Sequence, residues 1–143
     1  MRIISGVHKG KKIQAPKNLP IRPTTDRAKE SLFNILENRY IFKNKKILDL
    51  FSGSGNISFE FSSRANVNIT AVDNNINCIE FIRKLNKELN YSITSVQSDC
   101  LDYINNTNEK FDIVFMDPPY NYEEYYAIRE LIIEKKIINE DGC

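Results

Sequence analysis

The sequence predicts an α/β fold, a Rossmann-like parallel sheet preceded by an N-terminal β-hairpin and helix, and three observations carry the prediction. From residue 46 onward, short apolar runs alternate with helical periodicities, the pattern of βαβ units. Each run ends at or just before an acid: Asp49, Asp73, Asp99 and Asp117. The first run breaks on Phe51-Ser-Gly-Ser-Gly55, where two glycines permit a tight strand-to-helix turn.

Taken in order, residues 2–15 read as a hairpin, with Gly6 and Gly10 as turn residues. Pro16, Pro20 and Pro23 lie in an irregular connection. Thr24 and Thr25 are placed to cap a helix over residues 26–37. Its expected buried stripe is Ala28, Leu32, Ile35 and Leu36. Ile47, Leu48 and Leu50 make the first strand, apolar enough to be covered on both faces. A helix over 57–63 follows, with Phe59 and Phe61 in the core. The second strand is 69–73, and an amphipathic helix over 76–89 buries Ile79, Ile82 and Leu85. The third strand is 93–96, a helical turn covers 101–104, the fourth strand is 111–116, and a last helix spans about 123–135.

With 41% hydrophobic and 27% charged residues, the composition is that of a globular domain. No apolar run approaches the roughly 20 residues of a membrane span. Three cysteines without paired or metal-ligand spacing fit a reducing, cytoplasmic setting, and the lone His8 argues against a histidine metal centre. The near-neutral net charge of +1 conceals an uneven distribution. Residues 1–46 hold 12 Lys or Arg against 3 acids, whereas residues 47–143 hold 8 against 16. A basic arm on an acidic body favours a polyanion such as nucleic acid as partner, although a charge run can also be only a solvated face. The residues expected to meet it are His8, Lys9, Lys11, Lys12, Arg22 and Arg27, and residues 1–45 are expected to form an RNA-binding extension on a domain of residues 46–143.

Four acids at strand carboxyl ends imply a cleft, though any one alone would serve as well to cap a helix. Asp73 is placed to accept both hydroxyls of a ribose, and Asp99 to accept from an adenine amine. A dinucleotide would need a small third residue in the glycine pattern, where this chain has Ser58. S-adenosylmethionine carries no phosphate, and its cationic groups suit an acidic cleft. Asp117-Pro-Pro-Tyr120 points the same way. Its prolines fix φ and remove two donors, so carbonyls of the turn can face a ligand. Asp117 and the Pro118 carbonyl can accept the two N–H bonds of a ring amine and so aim its lone pair. Tyr120 offers a face for the target base. A proline turn could also merely close the strand.

Several segments together resemble the RsmD family of 16S ribosomal RNA guanine-N2 methyltransferases. They are Met1-Arg-Ile-Ile-Ser-Gly6, Lys9-Gly-Lys-Lys12, Arg22-Pro-Thr-Thr-Asp-Arg27 with Leu32-Phe-Asn-Ile-Leu36, Asp49-Leu-Phe-Ser-Gly-Ser-Gly55 and Asp117-Pro-Pro-Tyr120. The resemblance implies a class I S-adenosylmethionine-dependent methyltransferase fold and N2-methylguanosine as product. It implies a catalytic set of Asp117, Pro118 and Tyr120. It also implies a cofactor set of Asp49, Phe51, Gly53, Gly55, Asp73, Asn74, Asp99 and Cys100. The expected partner is the small ribosomal subunit, met by a monomer without metal or membrane.

Two departures stand out. Asp73 takes a position where members often carry Glu. The sequence also reaches Cys143 where a fifth strand would begin, so the C-terminal strands are expected to be missing and the fourth strand to be an open edge. Two other functions stay open on the sequence: an N6-adenine methyltransferase using the same motif, and a non-catalytic RNA- or cofactor-binding domain. A nicotinamide dehydrogenase would leave Asp-Pro-Pro-Tyr without a role.

Overall fold

The computed structural model describes residues 1–20 and 24–143. In chain order its elements are α1 (Asp26–Glu37), β1 (Lys46–Leu50), α2 (Asn56–Arg64), β2 (Asn68–Asp73), α3 (Ile76–Leu89), β3 (Ile93–Gln97), α4 (Cys100–Asn106), β4 (Ile113–Met116) and α5 (Tyr125–Glu134). The four strands form one parallel sheet in the order β3-β2-β1-β4. The chain leaves β1 toward β2 and β3, then returns to lay β4 on the other side of β1. That reversal opens a crevice at the strands' carboxyl ends, where sheets of this kind hold ligands.

Alternation along the strands divides the core between two faces. Ile47, Ile69 and Ile113 share one face with residues of α1, α2, α3 and the N-terminal hairpin. There Phe33, Phe42 and Phe61 meet edge to face, with centroids 4.6–6.1 Å apart. Leu48, Leu50 and Val72 share the other face with Ile104 of α4 and Ile128 and Ile132 of α5. β1 is buried on both faces after Lys46, as its unbroken apolar run requires.

The hairpin forms as its glycines suggest. Arg2 and Lys12 pair antiparallel, Ile3 N–H donates to Lys11 O at 3.0 Å, and Gly10 N–H donates to Ile3 O at 2.8 Å. Gly6 has φ +83°, and a Cβ there would fall 1.8 Å from Ser63 O. Only glycine lets the hairpin lie this close to the carboxyl-terminal turn of α2.

Thr25 Oγ1 caps α1 by accepting from Ala28 N–H at 3.2 Å. The buried stripe of α1 differs from the expected one. Lys29 and Phe33 are buried and Leu32 and Leu36 partly so, whereas Ala28 is exposed and Ile35 is 55% exposed. The hydrophobic pattern could not place Lys29 inside, because its burial depends on Glu60 of α2 at 3.1 Å.

The outer edge of β4 is covered over its first half and not fully open as expected. Phe111 N–H donates to Ile137 O, Asn139 N–H to Phe111 O, Cys143 N–H to Asp112 O and Val114 N–H to Cys143 O, all within 2.7–2.9 Å. Residues 137–143 thus satisfy several backbone groups that an uncovered edge would leave bare. Among the described residues no helix is long and apolar enough to cross a membrane.

Candidate active site

The register of the sheet builds the site. Leu50 of β1 pairs with Met116 of β4, so the next residues, Phe51 and Asp117, leave the sheet side by side. One begins the glycine loop and the other the Asp-Pro-Pro-Tyr turn. Phe51 adopts φ +60°, a left-handed conformation that costs a bulky residue about 1–2 kcal/mol. Its ring lies 4.8 Å from that of Tyr122 at 74°. Tyr122 N–H closes the proline turn on Pro119 O at 2.9 Å. The two loops therefore meet through an aromatic pair. Tyr122 is held protonated, its hydroxyl pushed up to about 12 first by burial and then by Asp99 and Glu124.

Two glycines shape the loop, Gly53 at φ +52° and Gly55 at φ +75°. At Gly55 a Cβ would meet Phe59 at 2.8 Å and Ile82 at 3.0 Å. Its need for glycine comes from its φ and from packing on α2 and α3.

The carboxylates divide by environment. Asp49 is 2% exposed and accepts from Ser58 Oγ at 2.6 Å. Burial pushes its carboxyl up to about 7, opposed by the Ser58 hydrogen bonds and assisted by Asp73 and Asp117. Asp73 receives Gly53 N–H on Oδ2 at 2.8 Å and Asn75 N–H on Oδ1 at 2.9 Å. A carboxylate has about four acceptor positions, so each oxygen keeps one for a ligand. Asp99 caps α4, its Oδ1 accepting from Leu101 N–H at 2.8 Å and Asp102 N–H at 3.2 Å, with Oδ2 left over among the described residues. Asp117 is exposed, and Tyr120 is 91% exposed.

The sheet thus gathers Asp49, Phe51, Gly53, Gly55, Asp73, Asp99, Asp117 and Pro118 around its carboxyl edge, with Asn74 exposed beside them. Cys100 is near but turned into the core, and burial pushes its thiol up to about 12. The basic residues are not brought to this edge together. His8 N–H donates to Ser63 Oγ at 3.1 Å and its ring meets Tyr91. This sets the hairpin tip at the carboxyl-terminal end of α2, roughly 12 Å of helix away from the glycine loop. Lys11 pairs with Glu88 at 3.2 Å, while Lys9, Lys12 and Arg27 are exposed. Arg22 lies outside the described residues.

Sequence reasoning missed three participants. Ser58 was visible only as a departure from the glycine pattern. Tyr122 carried no signal beyond its distance from the prolines. Ser52 Oγ is buried without a hydrogen-bond partner among the described residues, an orphan that marks the loop as built around something polar. Among those residues no group of His, Cys, Asp and Glu could hold a metal ion.

Residues 1–143 match the family described as Conserved hypothetical protein 95. The chain is 37% identical over 143 residues to the ribosomal RNA small subunit methyltransferase D of Buchnera aphidicola subsp. Acyrthosiphon pisum, covering 98% of this chain and 73% of that relative. It superposes on the solved Escherichia coli protein yhhF with a TM-score of 0.86 at 26% identity, over 99% of this chain and 76% of that one. The SAH-bound Podospora anserina methyltransferase PaMTH1 shares the fold alone, at 17% identity and TM-score 0.60, over 68% of this chain and 43% of that one.

Proposed function

The chain belongs to the family described as Conserved hypothetical protein 95, the RsmD family of the sequence resemblance, and from that premise we propose that it methylates the exocyclic N2 amine of a guanine in small-subunit ribosomal RNA, with S-adenosylmethionine as methyl donor. One observation supports the reading above the others. The Leu50–Met116 pairing sets the glycine loop beside the Asp117-Pro-Pro-Tyr120 turn, so a donor on the first and an amine on the second would be neighbours.

The residues present suit the cofactor. Asp73 retains an acceptor on each oxygen for two ribose hydroxyls, Asp99 retains Oδ2 for an adenine amine, and the orphan Ser52 hydroxyl gains a partner. When bound, S-adenosylmethionine supplies an electrophilic methyl on a cationic sulfur. The acidic edge favours that charge, and Asp49 would ionise more readily beside it.

Asp117 and the Pro118 carbonyl accept the two amine N–H bonds and hold the nitrogen lone pair toward the methyl carbon. The amine is a weak nucleophile because its lone pair is delocalised, so orientation is the contribution the protein can make. With the cofactor bound, the methyl would pass from its sulfur to this nitrogen, and Asp117 would take up the surplus N–H proton and release it to water. Tyr120 stacks on the target base. The exposed Lys9, Lys12 and Arg27 contribute affinity for the phosphate backbone.

The test is transfer of labelled methyl from S-adenosylmethionine to unmodified small-subunit RNA and to 30S particles, followed by nucleoside analysis. N2-methylguanosine is the expected product. Label in N6-methyladenosine, or none in either substrate, would overturn the reading.

A further inference from the structure

A buried polar cluster joins the N-terminal arm to the glycine loop. Its centre is Lys29, 1% exposed, facing Glu60, which is fully buried. The Lys29 ammonium donates to Arg2 O, to Asn56 Oδ1 at 2.8 Å and to Glu60 Oε2 at 3.1 Å. An ammonium has three donors, and here one goes to the N-terminal hairpin and two to α2, at its first residue and one turn further on. Glu60 is equally occupied: Oε2 also accepts from Ile4 N–H at 2.8 Å, and Oε1 accepts from Ser5 N–H at 3.0 Å and Arg64 Nε at 2.9 Å. Arg64 reaches on to Glu37 of α1 at 2.9 Å.

Buried ion networks are weak contributors to stability, because desolvation offsets their attraction. Their geometric consequence is stronger. Every acceptor of Glu60 and every donor of Lys29 is occupied, so the segment Arg2–Ser5 cannot shift against α2 without orphaning buried charge. Asn56 is the residue through which that constraint reaches the site. It is the first residue of α2, directly after Gly55, and its Nδ2 also donates to Thr24 O at 3.4 Å. The arm and the glycine loop are thus two ends of one saturated network.

We infer that Lys29, through Asn56, is a positioning residue that couples occupancy of the basic arm by RNA to the cofactor affinity of the glycine loop. The inference rests on the reading of the arm as an RNA surface and of the loop as the cofactor site. Coupling of this kind is reciprocal: if RNA on the arm tightens cofactor binding, cofactor tightens RNA binding by the same factor.

The experiment measures S-adenosylmethionine affinity by titration, with and without saturating unmodified small-subunit RNA, for the full chain and for Lys29→Met and Asn56→Ala. Thermal melts of each variant accompany the titrations. Asn56→Ala keeps the Glu60 contacts of Lys29 and Arg64 and removes the link toward the loop together with the Thr24 bond, so it remains informative should Lys29→Met fold poorly. RNA should tighten cofactor binding in the parent by about fivefold or more, and the ratio should fall toward one in Asn56→Ala. A merely structural residue would change the melting temperature or both affinities together and leave the ratio alone. A parent ratio of one, or a parent-like ratio in Asn56→Ala, overturns the coupling. Failure of the functional reading looks different: no cofactor binding, or no methyl transfer to RNA by the parent.

Discussion

Replacing Asp49 with Asn should change how stability depends on pH, by an amount set by burial. The carboxyl has an ordinary value of 3.8 and is pushed up to about 7 in the fold, chiefly by desolvation. Between those two values the folded state holds a proton that the unfolded state has released. Stability therefore falls as pH rises, by about 1.4 kcal/mol per pH unit, and levels off above pH 7. The contribution is fully present below about pH 4, and its total loss is on the order of 4 kcal/mol, a large part of the roughly 5–15 kcal/mol that holds a domain together. Asn cannot ionise, yet its Oδ1 can still accept from Ser58 Oγ, as Asp49 does at 2.6 Å. Urea denaturation of parent and variant from pH 4 to pH 8 tests this, because subtracting the curves cancels the groups common to both. Near pH 4 the two should differ little. By pH 8 the variant should be the more stable by a few kcal/mol. A difference that stays flat across the range would mean that Asp49 ionises normally and that its burial carries no cost.

Asp117→Ala should abolish methyl transfer while leaving S-adenosylmethionine affinity nearly unchanged, since the proposed mechanism has the carboxylate act on the incoming amine; turnover within about a factor of two of the parent would remove it from the mechanism. Asp73→Asn should weaken cofactor binding by about 1–3 kcal/mol in calorimetry, because the amide loses acceptors for both Asn75 N–H and a ribose hydroxyl. Unchanged affinity would move the ribose elsewhere. Replacing Lys9 and Lys12 with Ser should weaken RNA binding and flatten its logarithmic salt dependence by roughly 0.7–0.9 for each phosphate no longer neutralised. Lys11→Ser should matter less, because that ammonium already faces Glu88 at 3.2 Å. Equal slopes for all the variants would identify these lysines as a solvated hairpin only.

Local periodicity determined most of the architecture. The α3 span 76–89, the α1 span 26–37 and the parallel character of the sheet follow from patterns that a few consecutive residues carry. The four acids and the glycine loop were legible for the same reason, since a ligand site at strand ends recurs at the same place in each βα unit. What the sequence could not contain is how residues far apart satisfy one another. Lys29 reads as a surface lysine until Glu60 and the Arg2 carbonyl surround it. Ser58 reads as a flawed glycine pattern until it meets Asp49, and Asp49 departs from an ordinary carboxylate chiefly because packing excludes water from it. Gly55 reads as a turn glycine alone until Phe59 and Ile82 are seen to fill the space a Cβ would need. Hydrophobic pattern is written along the chain, whereas desolvation and the pairing of buried polar groups exist only once the elements have packed, and those are what the tertiary structure decided.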